Sequence, residues 1–103
     1  MRTLTSAERK YLRGLAQRMD PVVYVGKAGL SDSVVESADL ALEAHELVKV
    51  RFIDHKDEKD EITQVLAERT GAQVAGRIGH VAIIYRQNPD EDKRRIDLDE
   101  AGR

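Results

Sequence analysis

The sequence predicts an α/β domain whose elements follow the order α-β-α-β-α-β-β around a four-stranded mixed sheet. Two observations support this fold class. Three segments with helical spacing of apolar residues alternate with short runs rich in β-branched residues, and such alternation implies right-handed crossovers. The last two β-rich runs meet at Gly79, too close for a helix to intervene, which indicates an antiparallel hairpin. We therefore expect a mostly parallel sheet closed by one antiparallel pair.

Composition limits the classes of protein to consider. The chain has 103 residues, 41% of them hydrophobic, which suffices for one domain at residues 1–87, followed by a charged, flexible segment at residues 88–103. Cysteine is absent, which excludes disulfides and thiolate metal sites and favours a cytoplasmic location. The longest wholly apolar run, Val81 to Tyr85, is far too short to span a bilayer, so we expect no membrane partner.

The first helix is predicted to begin after Thr5 and to end at Asp20. Thr5-Ser6-Ala7-Glu8 has the form of a capping box, and Pro21 disfavours helical geometry in the residue before it. One arc of the helix is apolar and holds Tyr11, Leu12, Leu15, Ala16 and Met19. A neighbouring arc is cationic and holds Arg9, Lys10 and Arg13. Val22 to Val25 is predicted to be the first strand.

The second helix is predicted from the N-cap Ser31 to about Ala44. It carries an acidic stripe formed by Glu36, Asp39 and Glu43. The second strand is predicted at Leu47 to Ile53, where apolar and polar residues alternate. One strand face holds Val48, Val50 and Phe52, and the other holds Lys49 and Arg51.

The third helix is predicted from about Asp57 to Thr70, with Gly71 as a left-handed stop. Two strands complete the order, Gln73 to Ile78 and His80 to Arg86, and together they form the closing hairpin.

Charge is distributed unevenly along the chain. The formal net charge is −2, which at first argues against a nucleic-acid partner. However, residues 1–27 contain six Lys or Arg and only two acidic residues, whereas residues 28–46 contain five acidic residues and no Lys or Arg. A local basic patch can bind phosphates on a nearly neutral protein.

The most informative segment is the loop Gly26-Lys27-Ala28-Gly29, between the first strand and the second helix. Glycines at both ends allow another backbone to approach closely, and the start of a helix offers unpaired amides with a partial positive charge. Lys27 adds a full charge. The loop lacks the patterns of a P-loop and of a dinucleotide-binding site, so nucleotide chemistry is not supported. Taken alone, the pattern also fits a plain strand-to-helix turn with an exposed lysine; as a functional site, it predicts binding of one or two phosphates.

Four segments, in order, carry a resemblance to a known family. They are Leu4-Thr5 with Arg9 to Arg13, Pro21 to Leu30, His45 to Val50, and Gly79 to Arg86. With these segments the chain resembles the CRM domain (chloroplast RNA splicing and ribosome maturation), most closely its bacterial stand-alone YhbY type. The resemblance spans nearly all of residues 4–86. It implies a fold related to the C-terminal domain of translation initiation factor 3.

The resemblance also implies a function. It implies an RNA-binding protein whose partner is ribosomal RNA. We expect this RNA to be the precursor of large-subunit ribosomal RNA within a pre-ribosomal particle, and the protein to help assemble the large subunit. The family's loop maps onto Gly26, Lys27, Ala28 and Gly29, and its basic first helix maps onto Arg9, Lys10 and Arg13. Lys49 and Arg51 can extend the phosphate track or pair with nearby carboxylates. We expect no catalytic residue, metal, cofactor or small-molecule substrate.

A second hypothesis belongs to another class of protein. The acidic stripe of the second helix, formed by Glu36, Asp39 and Glu43, can dock a basic ribosomal protein, which would make the chain a protein-interaction module.

Three histidines and two tyrosines invite functional interpretations that the sequence does not favour. His45 ends a helix, where the dipole favours an imidazolium, so a structural role is preferred over acid–base chemistry. His55 and His80 show no metal-ligand spacing. Tyr24 and Tyr85 are predicted to be core or sheet-edge residues and not base-stacking platforms, since aromatic residues make up only 4% of the chain.

Overall fold

The structure, a computed structural model, describes residues 2–102. In this range the helices are α1 (Ser6–Ala16), α2 (Asp32–His45) and α3 (Lys59–Thr70). The strands are β1 (Val23–Val25), β2 (Leu47–Phe52), β3 (Gln73–Ile78) and β4 (Val81–Tyr85). The predicted order α-β-α-β-α-β-β is confirmed.

The four strands form one mixed sheet in the order β1-β2-β4-β3. β1 pairs with β2 in parallel, whereas β4 pairs antiparallel with both β2 and β3. The expectation of a mostly parallel sheet was therefore wrong. The crossover through α3 leaves a vacant position between β2 and β3, and the hairpin at Gly79 folds β4 back into it. Burial on both sides explains why β4 is a continuous apolar run.

The first helix is shorter than the sequence predicts. α1 ends at Ala16 and not at Asp20, and the chain continues in tighter turns with hydrogen bonds from Gln17 N to Gly14 O (3.3 Å) and from Met19 N to Ala16 O (3.0 Å). Gly14 weakens the helix one turn before its end, because glycine disfavours helix interiors. Proline 21 is thus not what ends α1.

The other helix boundaries follow local capping chemistry. The Ser31 hydroxyl accepts a hydrogen bond from Val34 N (3.2 Å) at the start of α2, and Gly71 ends α3 with a φ of 70°. α3 begins later than expected, at Lys59, since a short 3-10 turn at Lys56–Glu58 precedes it. The hairpin glycine, Gly79, also has a positive φ, as the predicted tight turn requires.

Helices pack on both faces of the sheet. One core lies between the sheet and the helices α2 and α3, and its buried residues include Val48, Val50 and Phe52 on β2, as the alternation predicts. The second core lies on the opposite face, where α1 packs against β2, β3 and β4. Its members include Leu12, Leu47, Ile83, Tyr85 and Leu98. None of the helices in the described chain is both long and apolar enough to cross a membrane.

Part of the segment after residue 87 packs against the domain. Leu98 is buried in the second core, within a 3-10 turn at Leu98–Glu100. Glu46 is only 1% exposed, and its carboxylate accepts hydrogen bonds from Asn88 N (2.7 Å), Arg95 N (2.6 Å) and Ile96 N (3.0 Å). The flexibility expected of residues 88–103 stays a prediction, to be tested against these contacts.

Candidate nucleic-acid interface

The loop Gly26-Lys27-Ala28-Gly29 forms a tight, outward bend at the end of edge strand β1. A hydrogen bond from Gly29 N to Gly26 O (2.9 Å) closes the turn, and a second one from Ser31 N to Gly29 O (3.0 Å) leads into α2. Lys27 and Ala28, at the tip, are exposed. The bend therefore projects from the sheet where the first helical turn of α2 begins.

Backbone amides at this bend are available to an anion. Among residues 2–102, the amides of Lys27 and Ala28 have no acceptor, and neither do those of Asp32 and Ser33 in the first turn of α2. Such amides carry the positive end of the helix dipole. The carboxylate of Asp32 is paired with Arg69 (3.2 Å), which reduces its repulsion of an incoming phosphate.

The two glycines of the loop have different structural roles. Gly29 is buried, has a φ of 65°, and lies with its Cα against the ring of His55, where an added Cβ would come within 3.4 Å of Nε2. Gly26 has no positive φ, and an added Cβ there would meet no atom within 4 Å. The fold requires glycine at position 29, whereas position 26 faces open space.

His55 supports the loop from the neighbouring connection between β2 and α3. Its Nε2 lies 2.9 Å from the carbonyl oxygen of Lys27, and its Nδ1 lies 3.6 Å from a carboxylate oxygen of Glu58. The hydrogen bond with the Lys27 carbonyl, followed by Glu58 and Asp54, raises the pKa of His55 above its ordinary value. Sequence reasoning missed this role, because the two residues are 28 positions apart and only the fold brings them together.

A cluster of cationic side chains surrounds the same end of the sheet. Partial desolvation, followed by the positive charges of Lys59, Lys56 and Arg51, lowers the pKa of His80 below its ordinary value. Lys59 also donates a hydrogen bond to Gly79 O (2.9 Å), which links α3 to the hairpin. In the sequence, these lysines alternate with acidic residues and look like a solvated helix start. The sequence does not show that these lysines and Arg51 all lie near His80, because only the fold brings them together.

The basic residues of α1 are partly committed to the fold. Arg9 donates from Nη1 to Leu4 O (2.8 Å), and Arg13 donates from Nη1 to Ala75 O (3.1 Å). Arg13 also lies over Gly76 so closely that a Cβ there would clash with its side chain. Lys10, by contrast, is exposed.

The loop and α1 occupy separate regions of the molecule. Arg13 contacts β3, which is the edge strand opposite β1. Three strand spacings separate these edges, or roughly 14 Å. The basic residues of 1–27 therefore form two patches instead of the single patch that their sequence proximity indicates.

Lys49 and Arg51 share one face of β2 but differ in environment. Lys49 donates from Nζ to Met19 O (3.0 Å), so it fixes the turn that follows α1. Arg51 is exposed, and its side chain has no hydrogen bond or ion pair with another described residue. Of the two, only Arg51 is available to a ligand without breaking an intramolecular contact.

The family of the chain follows from a direct comparison. Residues 4–86 match the family of CRS1 / YhbY (CRM) domains. The chain belongs to this family. The resemblance inferred from the four sequence segments is thus confirmed, over the same range of residues.

Individual relatives of this CRM domain agree with the assignment. An RNA-binding protein of Haemophilus influenzae is 34% identical over 95 residues, which cover 91% of this chain and 94% of the relative. YqeI of Bacillus subtilis, whose name also assigns it to RNA binding, is 28% identical over 96 residues, covering 92% and 98%. The solution structure of the hypothetical protein SAV1595 from Staphylococcus aureus, for which RNA binding has been suggested, has a TM-score of 0.77 and 31% identity, and covers 92% of this chain and 100% of that one.

The acidic stripe of α2 is largely engaged within this CRM domain. Arg86 contacts two of its three members, with distances of 2.6 Å to the Asp39 carboxylate and 3.8 Å to that of Glu43. Glu36 is the member without an ion pair to a described residue. Two of the three charges on which the protein-docking hypothesis depends are thus already paired within the chain.

Proposed function

We propose that this CRM domain binds RNA by its sugar-phosphate backbone and that the loop Gly26-Lys27-Ala28-Gly29 is the primary contact. The observation that carries the proposal is the exposed bend at Lys27 and Ala28, whose amides have no acceptor among residues 2–102 and stand beside a lysine side chain. Amides with this arrangement bind phosphate oxygens well. The names of the relatives, which assign them to RNA binding, support the same conclusion.

Structured RNA fits the arrangement better than a short single strand. The loop follows edge strand β1, whereas Arg13 of α1 contacts the opposite edge strand, β3, roughly 14 Å away. An RNA with a rigid shape can contact both patches at once, and its shape then determines which RNAs bind. In this proposal Lys27 and Arg51 supply the free charges, Lys10 adds a contact from α1, and Arg9, Arg13 and Lys49 shape the surface while they stabilise the fold.

We further propose, from the family resemblance, that the RNA is a precursor of large-subunit ribosomal RNA in a pre-ribosomal particle in the cytoplasm. The domain would stabilise a folding intermediate of that RNA without covalent chemistry. Crosslinking the protein to RNA in cells and sequencing the attached fragments tests this step. Enrichment of large-subunit precursor RNA is the expected result, and an even scatter over transcripts would contradict it.

The phosphate contact at the loop is tested by reversing the charge of Lys27. Lys27→Glu should weaken RNA binding and lower the slope of log affinity against log salt concentration by about 1, since one phosphate contact is lost. Lys93→Glu is the matched control, because Lys93 is also exposed and lies in a 3-10 turn after residue 87. Equal effects of the two variants would show that only net charge matters and would contradict the proposal.

A further inference from the structure

Beyond the end of α1, one row of side chains crosses the sheet uncovered. Tyr24 on β1 pairs with Arg51 on β2, Arg51 pairs with Val81 on β4, and Val81 pairs with Ile78 on β3. Their neighbours Val23, Val25, Val50, Phe52 and Ala82 point into the core beneath α2 and α3. Because side chains alternate along a strand, the row lies on the opposite face, which α1 covers elsewhere.

α1 packs over the adjacent row of side chains on this face but does not extend over the row that contains Tyr24 and Arg51. The adjacent row contains Ile83, which is fully buried, and Gly76, over which Arg13 lies. In the open row, by contrast, Tyr24 is 52% exposed and Ile78 is 57% exposed. The sheet therefore presents an aromatic ring, a guanidinium and an aliphatic side chain to solvent in a fixed line.

Tyr24 is held in a defined position. Its hydroxyl donates a hydrogen bond to Pro21 O (3.1 Å), which restricts the ring although half of the side chain is exposed. A ring that is already ordered loses little conformational entropy when a ligand packs on it. Tyr24 lies on an edge strand, as the sequence predicts, but its exposed ring argues against the prediction that it is not a base-stacking platform.

Arg51 stands next to Tyr24 on the adjacent strand, and strands in a sheet are separated by roughly 5 Å. Its guanidinium has no partner among residues 2–102. Arginine can stack on a base or bind a phosphate, and an aromatic ring beside it favours the flat face of a nucleobase. Near His80 at this end of the sheet, the positive charges of Lys56, Lys59 and Arg51 outnumber the one negative charge that acts there, Asp57, which suits a polyanion and repels a basic peptide.

We propose that an unpaired nucleobase of the bound RNA stacks on Tyr24 beside Arg51. This inference rests on the proposed function, because the phosphate of a neighbouring nucleotide must be held at the loop. Tyr24 precedes Gly26 by two residues, or roughly 7 Å along the strand, so one RNA strand can reach both. The domain then prefers RNA with a single-stranded nucleotide next to a helix over an uninterrupted duplex.

The test compares two RNA probes and three variants. The probes are an RNA hairpin with a single-stranded loop and the blunt duplex with the sequence of its stem. Tyr24→Ala should weaken binding of the hairpin roughly tenfold and binding of the duplex by less than about twofold, as expected for loss of one stacked base. Tyr24→Phe keeps the ring and should retain most of the affinity. Leu40→Ala, at a residue 65% exposed on α2, is the control that should change neither probe.

The outcomes separate this inference from the proposed function. If Lys27→Glu weakens both probes while Tyr24→Ala leaves the preference for the hairpin unchanged, the stacking inference is overturned and the backbone contact stands. If Lys27→Glu changes neither probe, both proposals fail. A 2-aminopurine in the hairpin loop provides a second readout, because its fluorescence should be quenched by the wild-type protein and not by Tyr24→Ala. A folded Tyr24→Ala variant that quenches it fully would also overturn the inference.

Discussion

At the scale of single residues, the two loop glycines differ in what they require. Gly29 has a left-handed conformation, and its Cα hydrogen faces the ring of His55. At Gly26, an added Cβ would meet no atom of the described residues within 4 Å, so a ligand can approach the backbone there. Gly29→Ala should lower the free energy of unfolding by about 1–2 kcal/mol, because a Cβ is strained at positive φ. Gly26→Ala should change stability by less than about 0.5 kcal/mol and yet weaken RNA binding.

Urea unfolding and RNA titration of the same two variants check this prediction. The interpretation fails if Gly26→Ala binds RNA as the wild type does, or if Gly29→Ala is as stable as the wild type.

His55 should titrate above its ordinary pKa of 6.5, and His80 below it. A raised pKa in the folded state means that the contribution of His55 to stability is complete below pH 6.5 and is lost as the pH rises through the folded value. The pKa of His80 is shifted in the opposite direction, so the contribution of His80 to stability becomes more favourable as the pH rises toward 6.5. Nuclear magnetic resonance titration of both imidazoles in one sample measures the two directions, and a His55 pKa below that of His80 would contradict them.

At this scale the sequence predicted the loop and not its support. Gly26, Lys27 and Gly29 lie within four residues and form a recognisable G-x-x-G pattern. The structure has a tight turn at this pattern, closed by the hydrogen bond from Gly29 N to Gly26 O. The contact of His55 with the Lys27 carbonyl depends on two connections that meet only after β1 and β2 have paired, so no spacing in the sequence indicates it.

At the scale of elements, the capping box of α1 was predicted from four residues and is confirmed. Glu8 N donates to the Thr5 hydroxyl (3.1 Å), and Thr5 N donates to a Glu8 carboxylate oxygen (2.9 Å). Two hydrogen bonds from Arg2, each 2.6 Å long, bind the same carboxylate. The bonds from Arg2, followed by the one from the Thr5 amide, lower the pKa of Glu8 to about 2.

The contribution of Glu8 to stability should therefore be present above pH 4.5 and should be lost as the pH falls toward 2. Glu8→Gln should be less stable than the wild type at neutral pH, and the difference should shrink across this acidic range. Thermal unfolding at a series of pH values measures it. A difference that stays constant down to pH 2 would show that the carboxylate charge is not what stabilises the start of α1.

Strand identity was predictable and strand order was not. The continuous apolar run Val81 to Tyr85 indicates a buried strand, but it does not show which strands lie beside it. The position between β2 and β3 depends on how far the crossover through α3 reaches. The end of α1 was also predicted wrongly, at Asp20 instead of Ala16. A helix can end at the residue before a proline, but Pro21 does not prevent it from ending earlier.

At the scale of the whole molecule, Glu46 joins the segment after residue 87 to the domain. Its carboxylate is buried and satisfied by three backbone amides, at Asn88, Arg95 and Ile96. Glu46→Gln removes part of this acceptor capacity and should lower the free energy of unfolding by about 1–3 kcal/mol. Glu36→Gln is the matched control, because it removes the same charge from an exposed position of α2.

Hydrogen exchange provides the local measurement for this prediction. The amides of Arg95 and Ile96 should exchange faster in Glu46→Gln than in the wild type, while the amides of β4 keep their protection. Unchanged exchange at both positions would show that the segment is held by other contacts, such as the burial of Leu98.

Charge is the property for which sequence and molecule differ most. The sequence indicates one basic region in residues 1–27 and, at residues 54–61, a run of alternating charges in which five acidic residues outnumber two lysines. In space, Arg13 of α1 contacts β3, whereas the loop follows β1 at the opposite edge of the sheet. Lys56 and Lys59 from the alternating run lie with Arg51 near His80. Proximity in the sequence therefore does not predict which of these basic residues lie together in the folded chain.

The most direct test of the central proposal is the set of backbone amide resonances observed while RNA is added to the protein. If the loop binds the RNA backbone, the amides of Lys27 and Ala28 should shift most, because they have no acceptor in the part of the chain that the structure describes and would donate to a phosphate. Lys27→Glu should reduce those shifts. Large shifts confined to α1 or to the segment after residue 87, with the resonances of Lys27 and Ala28 unchanged, would contradict the account.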